Sequence, residues 1–322
     1  MSSPVVLIGT SGWSYPSGAG TWNGVFYPPR GTPGFRASDE LAYYAEHFDT
    51  VEVNSTFYRI PEASTTRQWV RRTPPGFEFS VKLYQAFTHA ARVGRDAPQT
   101  APPADERLPA PSPVELDAFR AGIEPLASAG RMGMILAQFP PSFHASPATR
   151  DYLATLLTAF RDSSVAVELR HRTWSDDRLS TTALLGEFDA AWVQIDEPKF
   201  RFSIRQDRAP NADRYYLRLH GRNAANWWKH DSPEDRYNYL YSREELGEFA
   251  DTVARVSPQV KRLYLYLNNH FSAKAVVNAT VLKDQLGQQV RGEYRQEMLD
   301  RYPELKDILG APRGLFGHDG GR

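Results

Sequence analysis

The chain has no cysteine among its 322 residues. That excludes a disulfide framework, cysteine-ligated iron–sulfur clusters, thiolate zinc and a cysteine nucleophile. It also lacks an excess of either charge, since 38 Lys plus Arg balance 38 Asp plus Glu. A polycationic coat for extended nucleic acid is thereby excluded, and any anion site must be local. No run of about 18 apolar residues occurs, and the opening MSSPVVLIGT has neither the charged region nor the long apolar region of a signal peptide. These absences predict a soluble, cytoplasmic protein with no membrane partner. Several motifs are missing too: GxGxxG after the first strand, GxxxxGK[ST], HExxH, HxH, DxD and GxSxG.

What the sequence has is rhythm. Eight short β-branched or aromatic runs recur: VVLIGT from Val5, TVEVNSTF from Thr50, FEFSVKL from Phe77, MGMILAQF from Met132, VAVEL from Val165, AAWVQID from Ala190, YYLRLHG from Tyr215 and RLYLYLNN from Arg262. Helical patterns with a leading serine cap lie between them, starting at Ser38, Ser146, Ser242 and Ser272. Strand and helix in alternation, eight times, predict an α/β fold of (β/α)8 TIM type, with a doubly wound open sheet as runner-up. Residues 94–113, rich in Pro and Ala, read as an irregular insertion after the third strand, and 201–213 offers no convincing sixth helix. The expected organisation is one barrel domain over 1–290, then a C-terminal helical extension and flexible tail over 291–322.

Barrel strands bury one face under helices and turn the other inward. Alternation places Glu52 and Asn54, Ser80 and Lys82, Glu168 and Arg170, Gln194 and Asp196, Arg218 and His220, and Tyr266 and Asn268 on the inward face. Three acids and three bases in such an interior must be paired or must meet a ligand. An ion network that only holds the barrel together is the structural reading of the same pattern. His220 adds a group able to titrate near neutrality.

The loops after the strands point toward a ligand. RHRTW carries Arg170, His171, Arg172 and Trp174; HGRNAANWWKH carries His220, Arg222, Trp227, Trp228, Lys229 and His230. Guanidinium forks suit phosphate or carboxylate, while Trp and Tyr faces suit bases or sugars, although the same aromatics can simply pack a loop. Glu52, Glu168, His171, Asp196, His220 and His270 all fall at strand ends, a placement compatible with a divalent ion; interleaved Arg and Lys compete with a cation there. Whether a metal or other cofactor is used stays open at this point. The glycines of GTSGWS suit close approach of backbone N–H groups to an anion.

The segments GTSGWSYP (9–16), TVEVNSTFYRIP (50–61), FEFSVKLYQAFTH (77–89), QFPPSF (138–143), VELRHRTW (167–174), DEP (196–198), YLRLHGR (216–222) and NNH (268–270) resemble the YecE-like family, domain of unknown function seventy-two. The resemblance is collinear from Val5 to Leu286. It implies a TIM-type barrel but no settled activity; the likeness of such barrels to endonuclease IV and sugar-isomerase barrels implies nucleic-acid binding as one option. The motif residues it implies are Glu52, Asn54, Lys82, His89, Gln138, Glu168, Arg170, His171, Trp174, Asp196, Arg218, His220, Gly221, Arg222, Asn268, Asn269 and His270. The sequence departs from the family at SAK after NNH, where a glycine-containing turn is expected, and the insertion at 94–113 is longer than typical.

Two readings of function follow. In the first, a phosphate-containing ligand, nucleic acid or nucleotide, binds at the C-terminal mouth: Arg170, Arg218 and Arg222 hold phosphate, Trp174 and Trp227 stack, and Glu168 or Asp196 works with His220 as the acid/base pair of a phosphoester hydrolase. In the second, a sugar or sugar-phosphate enzyme uses Glu52, Lys82, Glu168 and His220 for proton transfer on a carbonyl substrate. A non-catalytic regulatory barrel is the remaining alternative.

Overall fold

The computed structural model describes residues 3–90, 108–227 and 234–309. Most of the 94–113 insertion, the residues Trp228, Lys229 and His230, and the tail from Gly310 lie outside the described residues. Each of the eight runs forms a strand, the sixth in two pieces: β1 (Val5–Thr10), β2 (Thr50–Val53), β3 (Glu78–Lys82), β4 (Met132–Gln138), β5 (Val165–Glu168), β6 (Ala191–Trp192), β7 (Gln194–Asp196), β8 (Arg214–Leu219) and β9 (Arg262–Leu267).

Every strand pairing is parallel. One series runs β2-β3-β4-β5-β6 and the other β7-β8-β9-β1. They meet at two seams. Only Val193 separates β6 from β7, and its N–H donates to the Val167 carbonyl at 3.0 Å. β1 touches β2 through a parallel bridge between Ser11 and Glu52, where Gly12 N–H donates to the Glu52 carbonyl at 2.7 Å. Strand order around the molecule is therefore chain order, returning from β9 to β1, as in a (β/α)8 barrel. Gly9 makes the β1–β2 seam close: a Cβ there would lie 2.2 Å from the Thr50 carbonyl oxygen.

Helices follow the strands: α1 (Glu40–His47), α2 (Ala63–Arg71), α3 (Pro113–Ser128), α4 (Pro147–Ala159), the pair α5 (Arg172–Asp176) and α6 (Arg178–Gly186), then α7 (Arg243–Val256) and α8 (Lys274–Gln285). No helix intervenes between β7 and β8. Ser146 and Ser242 cap α4 and α7 as their sequence context requires, each accepting from the N–H three residues on. Two caps are elsewhere than expected. Ser38 lies inside a short 3-10 turn (Ala37–Asp39), and α1 starts from Asp39 without a side-chain cap bond. Ser272 does not cap α8 either; Ser272 and Ala273 both adopt left-handed backbone, with φ of 53° and 63°, and the helix begins at Lys274. This is the segment where family likeness called for a glycine turn.

Beyond α8 the chain adds α9 (Gln296–Arg301) and α10 (Lys306–Leu309), tied back by Tyr302 Oη donating to the Ser272 carbonyl at 2.6 Å and by Tyr43 Oη donating to that of Glu293 at 3.1 Å. Among the described residues no helix is long and apolar enough to cross a membrane. The outward parity of the strands is buried as alternation demands: Val51, Val53, Phe79, Val81, Val165, Val167, Leu217, Leu219, Leu265 and Leu267 all sit in the core.

Candidate functional site

The barrel interior is polar from its middle upward. Tyr266 Oη donates to Ser80 Oγ at 2.9 Å and lies 2.7 Å from Thr50 Oγ1. One layer higher, Tyr216 Oη donates to Glu52 Oε2 at 2.8 Å. Above these, Arg218 is the hub: its guanidinium donates to Glu52 Oε1 at 2.7 Å, Glu168 Oε2 at 2.5 Å and Gln138 Oε1 at 2.8 Å. Arg218 is 1% exposed, and both carboxylates are fully buried. Burial opposes ionisation of Glu168, but Arg218 outweighs it, aided by His220 and Arg170, and holds the carboxyl well below its usual range. Burial likewise works against the Arg218 cation, yet Glu168 and Glu52 raise its pKa above the ordinary value.

On the mouth side of this hub several groups converge without hydrogen bonds. Glu168 Oε1 stands 3.6 Å from Arg170 Nε and 3.7 Å from His220 Nε2, and all three atoms are buried and unbonded. Asn268 Nδ2 donates to His220 Nδ1 at 2.8 Å, which leaves the ring proton on Nε2, facing Glu168. Burial, and then Arg218, lowers the His220 pKa against the pull of Glu168. Lys82 ends β3 with its Nζ 4.2 Å from the centre of the Phe57 ring. Burial, followed by Arg218, brings its pKa down to about 7, with Glu168 and Glu52 opposing. His89 packs edge-on against Phe57 at 5.0 Å and is lowered to about 4 by burial and by Lys82. Asn54, Lys82, Gln138 and Arg170 remain partly exposed above the buried hub.

A row of rings forms one wall. Tyr15 stacks on His270 at 4.2 Å, His270 meets Tyr237 at 4.9 Å, Tyr237 meets Trp227 at 6.4 Å, and Arg170 lies 5.9 Å over Trp227. Burial lowers His270 to about 3. Tyr15 and Tyr237 were not among the expected site residues; only the coming together of the first, seventh and eighth loops reveals them.

Five expectations need correction. Asp196 does not share the cavity. β5 aligns Val167 with Trp192, and β8 aligns Leu219 with Asp196 and Arg218 with Ile195; laterally aligned residues share a face, so the sixth strand turns Ile195 inward and Asp196 outward. There Asp196 accepts from Arg222 at 2.9 and 3.1 Å and from Tyr241 Oη at 2.8 Å. The parity was misleading because no helix covers this strand: its outer face meets polar loop residues, with Gln206 accepting from Ile195 N–H and donating to the Val193 carbonyl. Glu197, the next residue, takes the inward place and pairs with Arg170. Arg222 is no free phosphate ligand, since Asp196, Glu245 and Glu248 occupy its fork at 2.9–3.1 Å. Trp174 offers no stacking face: it is fully buried, its indole N–H donates to the Phe143 carbonyl, and its ring stacks on Phe143. His171 lies apart, its ring 3.8 Å from that of His144 and its Nδ1 engaged by Thr173. Asn269 supports the neighbouring loop, donating to the Tyr239 carbonyl and to Asn278. Among the described residues no group of three or more His, Asp or Glu is arranged to hold a metal ion.

The fold and this polar mouth define a parallel α/β barrel with its candidate site at the carboxyl ends of the strands. The chain belongs to the DUF72 family, "Protein of unknown function DUF72", whose model matches residues 7–301. It is 28% identical over 283 residues to the UPF0759 protein YunF of Bacillus subtilis (strain 168), covering 85% of this chain and 92% of that one. A DUF72 family protein of Thermotoga maritima MSB8 superposes with a TM-score of 0.71 at 33% identity, covering 88% of this chain and all of the other. The Enterococcus faecalis V583 member shares the fold, at 21% identity and a TM-score of 0.71, over 91% of this chain and all of its own.

Proposed function

We propose that the barrel mouth binds a small polar ligand carrying a phosphate or carboxylate, and that the same groups move protons on it, in the manner of a sugar-phosphate enzyme. The carrying observation is the convergence of Glu168 Oε1, Arg170 Nε and His220 Nε2, buried, close and unbonded. Buried polar atoms left without hydrogen bonds are costly, and three at one strand-end position are better explained by a ligand that bonds them than by a self-satisfied network. Arg170 and Lys82 supply positive charge at the partly exposed rim. Glu168 and His220 supply an acceptor and a donor 3.7 Å apart. The nucleic-acid reading keeps less support, because Arg218 and Arg222 are taken up by several carboxylates, Arg170 already pairs with Glu197 and keeps only its Nε unbonded, and one of its stacking tryptophans is core.

Titration calorimetry with inorganic phosphate and with small sugar phosphates tests the proposal. Arg170→Gln should weaken binding by about 1.5–3 kcal/mol, the worth of a charge-assisted contact. Since an anion beside Lys82 favours its ammonium form, binding near pH 7.5 should take up a proton, seen as heat that varies with buffer ionisation enthalpy. Oligonucleotide binding with a steep salt dependence and no response to small phosphates would restore the first reading instead.

A further inference from the structure

We propose that Lys82 is a covalent nucleophile whose Nζ forms an imine with an aldehyde or ketone ligand at the barrel mouth; the inference rests on the small-ligand reading above. The chain uses lysine sparingly, with seven among its 38 basic residues. Of the six that are described, five have a polar partner: Lys199 donates to the Ile195 carbonyl, Lys261 to Asp213, Lys274 to Asn238, Lys283 to the His47 carbonyl and Lys306 to Asp300. Among the described lysines Lys82 alone makes no hydrogen bond or ion pair, although it stands at the end of a barrel strand beside two buried carboxylates. Arginine cannot give up its proton in a protein, whereas a desolvated lysine can, so an amine kept here is chemically different from the guanidinium used elsewhere. The strand fixes its backbone, and Phe57 covers one side of the amine at 4.2 Å.

The charges around it set its state. Arg218 and Arg170 disfavour the ammonium, Glu168 and Glu52 favour it, and burial adds to the first pair, leaving a pKa of about 7. A free lysine near 10.4 has below ~0.1% neutral amine at pH 7, while Lys82 has a large fraction. The reaction balances without any oxidant. The amine lone pair forms an N–C bond to the carbonyl carbon as the C=O π pair moves to oxygen. One proton passes from nitrogen to that oxygen to give the carbinolamine. Protonation of the hydroxyl then breaks the C–O bond, water leaves, and the nitrogen lone pair closes C=N with loss of the second nitrogen proton. Amine plus carbonyl yields imine plus water.

Pyridoxal phosphate, an aldehyde that also carries phosphate, is the probe. The full chain is incubated with it at neutral pH, reduced with borohydride and mapped by mass spectrometry, using the remaining lysines as internal reference. Expected is a reduced adduct on Lys82 at least about tenfold ahead of Lys199, Lys261 and Lys306, suppressed by saturating inorganic phosphate and absent in a folded Lys82→Arg variant. Adducts spread over the other lysines with Lys82 unmodified, or no adduct at all, would overturn the imine. Phosphate calorimetry on the same sample separates the two claims: phosphate heat with Lys82 unmodified removes the covalent step and leaves the ligand reading, and loss of both removes both.

Discussion

Arg218 carries the most weight of any single residue. It neutralises two fully buried carboxylates, so Arg218→Met strands both of them, and stability should fall by about 3–5 kcal/mol in urea unfolding. Arg218→Lys should rescue little, because an ammonium cannot reproduce the fork between Glu52 and Glu168. Glu168 gives a pH signature. Its folded pKa is depressed, so its contribution is fully present above the unfolded value of 4.5 and is lost as pH falls below it. Glu168→Gln should therefore flatten the acid limb of the stability profile below about pH 4.5. At His220 the two roles separate by measurement. If it moves protons, His220→Gln keeps the melt, costs ligand binding little because the glutamine amide still donates, and loses about 10²–10⁴ in turnover once a substrate is in hand; a purely structural histidine would instead cost about 1–3 kcal/mol of stability and leave turnover intact.

Among the elements, the turn into α8 concentrates strain in two consecutive residues. Ser272 and Ala273 both have left-handed backbone, which costs a non-glycine residue about 1–2 kcal/mol. Bonds from Ser272 N–H to the Gly20 carbonyl and from Tyr302 Oη to the Ser272 carbonyl hold it in place. Ala273→Gly should raise stability by about 0.5–1 kcal/mol, the relief being partly offset by the greater freedom of an unfolded glycine. An unchanged or lower urea midpoint would show that the helix start absorbs no strain. The opposite outcome is expected at the β1–β2 seam: Gly9→Ala would push a methyl into the Thr50 carbonyl and should destabilise the barrel where it is joined by one bridge.

For the molecule as a whole, buried histidines set the acid limit. His47, His220 and His270 are all pushed below 6.5, in each case chiefly by burial, His270 to about 3. A histidine kept neutral on folding binds its proton more readily when unfolded, so stability is complete above pH 6.5 and falls as pH drops from there. Each contributes a slope of up to about 1.4 kcal/mol per pH unit until its folded pKa is reached. Urea midpoints between pH 7.5 and 5 should decline accordingly, and a flat profile would mean that these rings are protonated in the fold.

Sequence by itself determined the succession of strands along the chain, the alternation on β2, β3, β5, β8 and β9, the absence of a sixth helix and the polar set Glu52, Lys82, Glu168, Arg170, Arg218 and His220. Those features are local: period-two patterning shows which face meets apolar helices, and it needs no knowledge of neighbours. The tertiary structure decided the rest. Asp196 and Glu197 exchanged places because lateral register, and not alternation along one strand, fixes which face a residue shares with Arg218. The uncovered outer face of β7 let a carboxylate lie where an apolar side chain was expected. Arg222 and Trp174 left the ligand set because partners from α7 and from the loop after β4 took them up. Arg218 reaches Glu52 across 166 residues of sequence and Glu168 across 50, and neither spacing announces the contact; only closing the strands brings the charges within 3 Å and leaves Lys82 beside them without a partner.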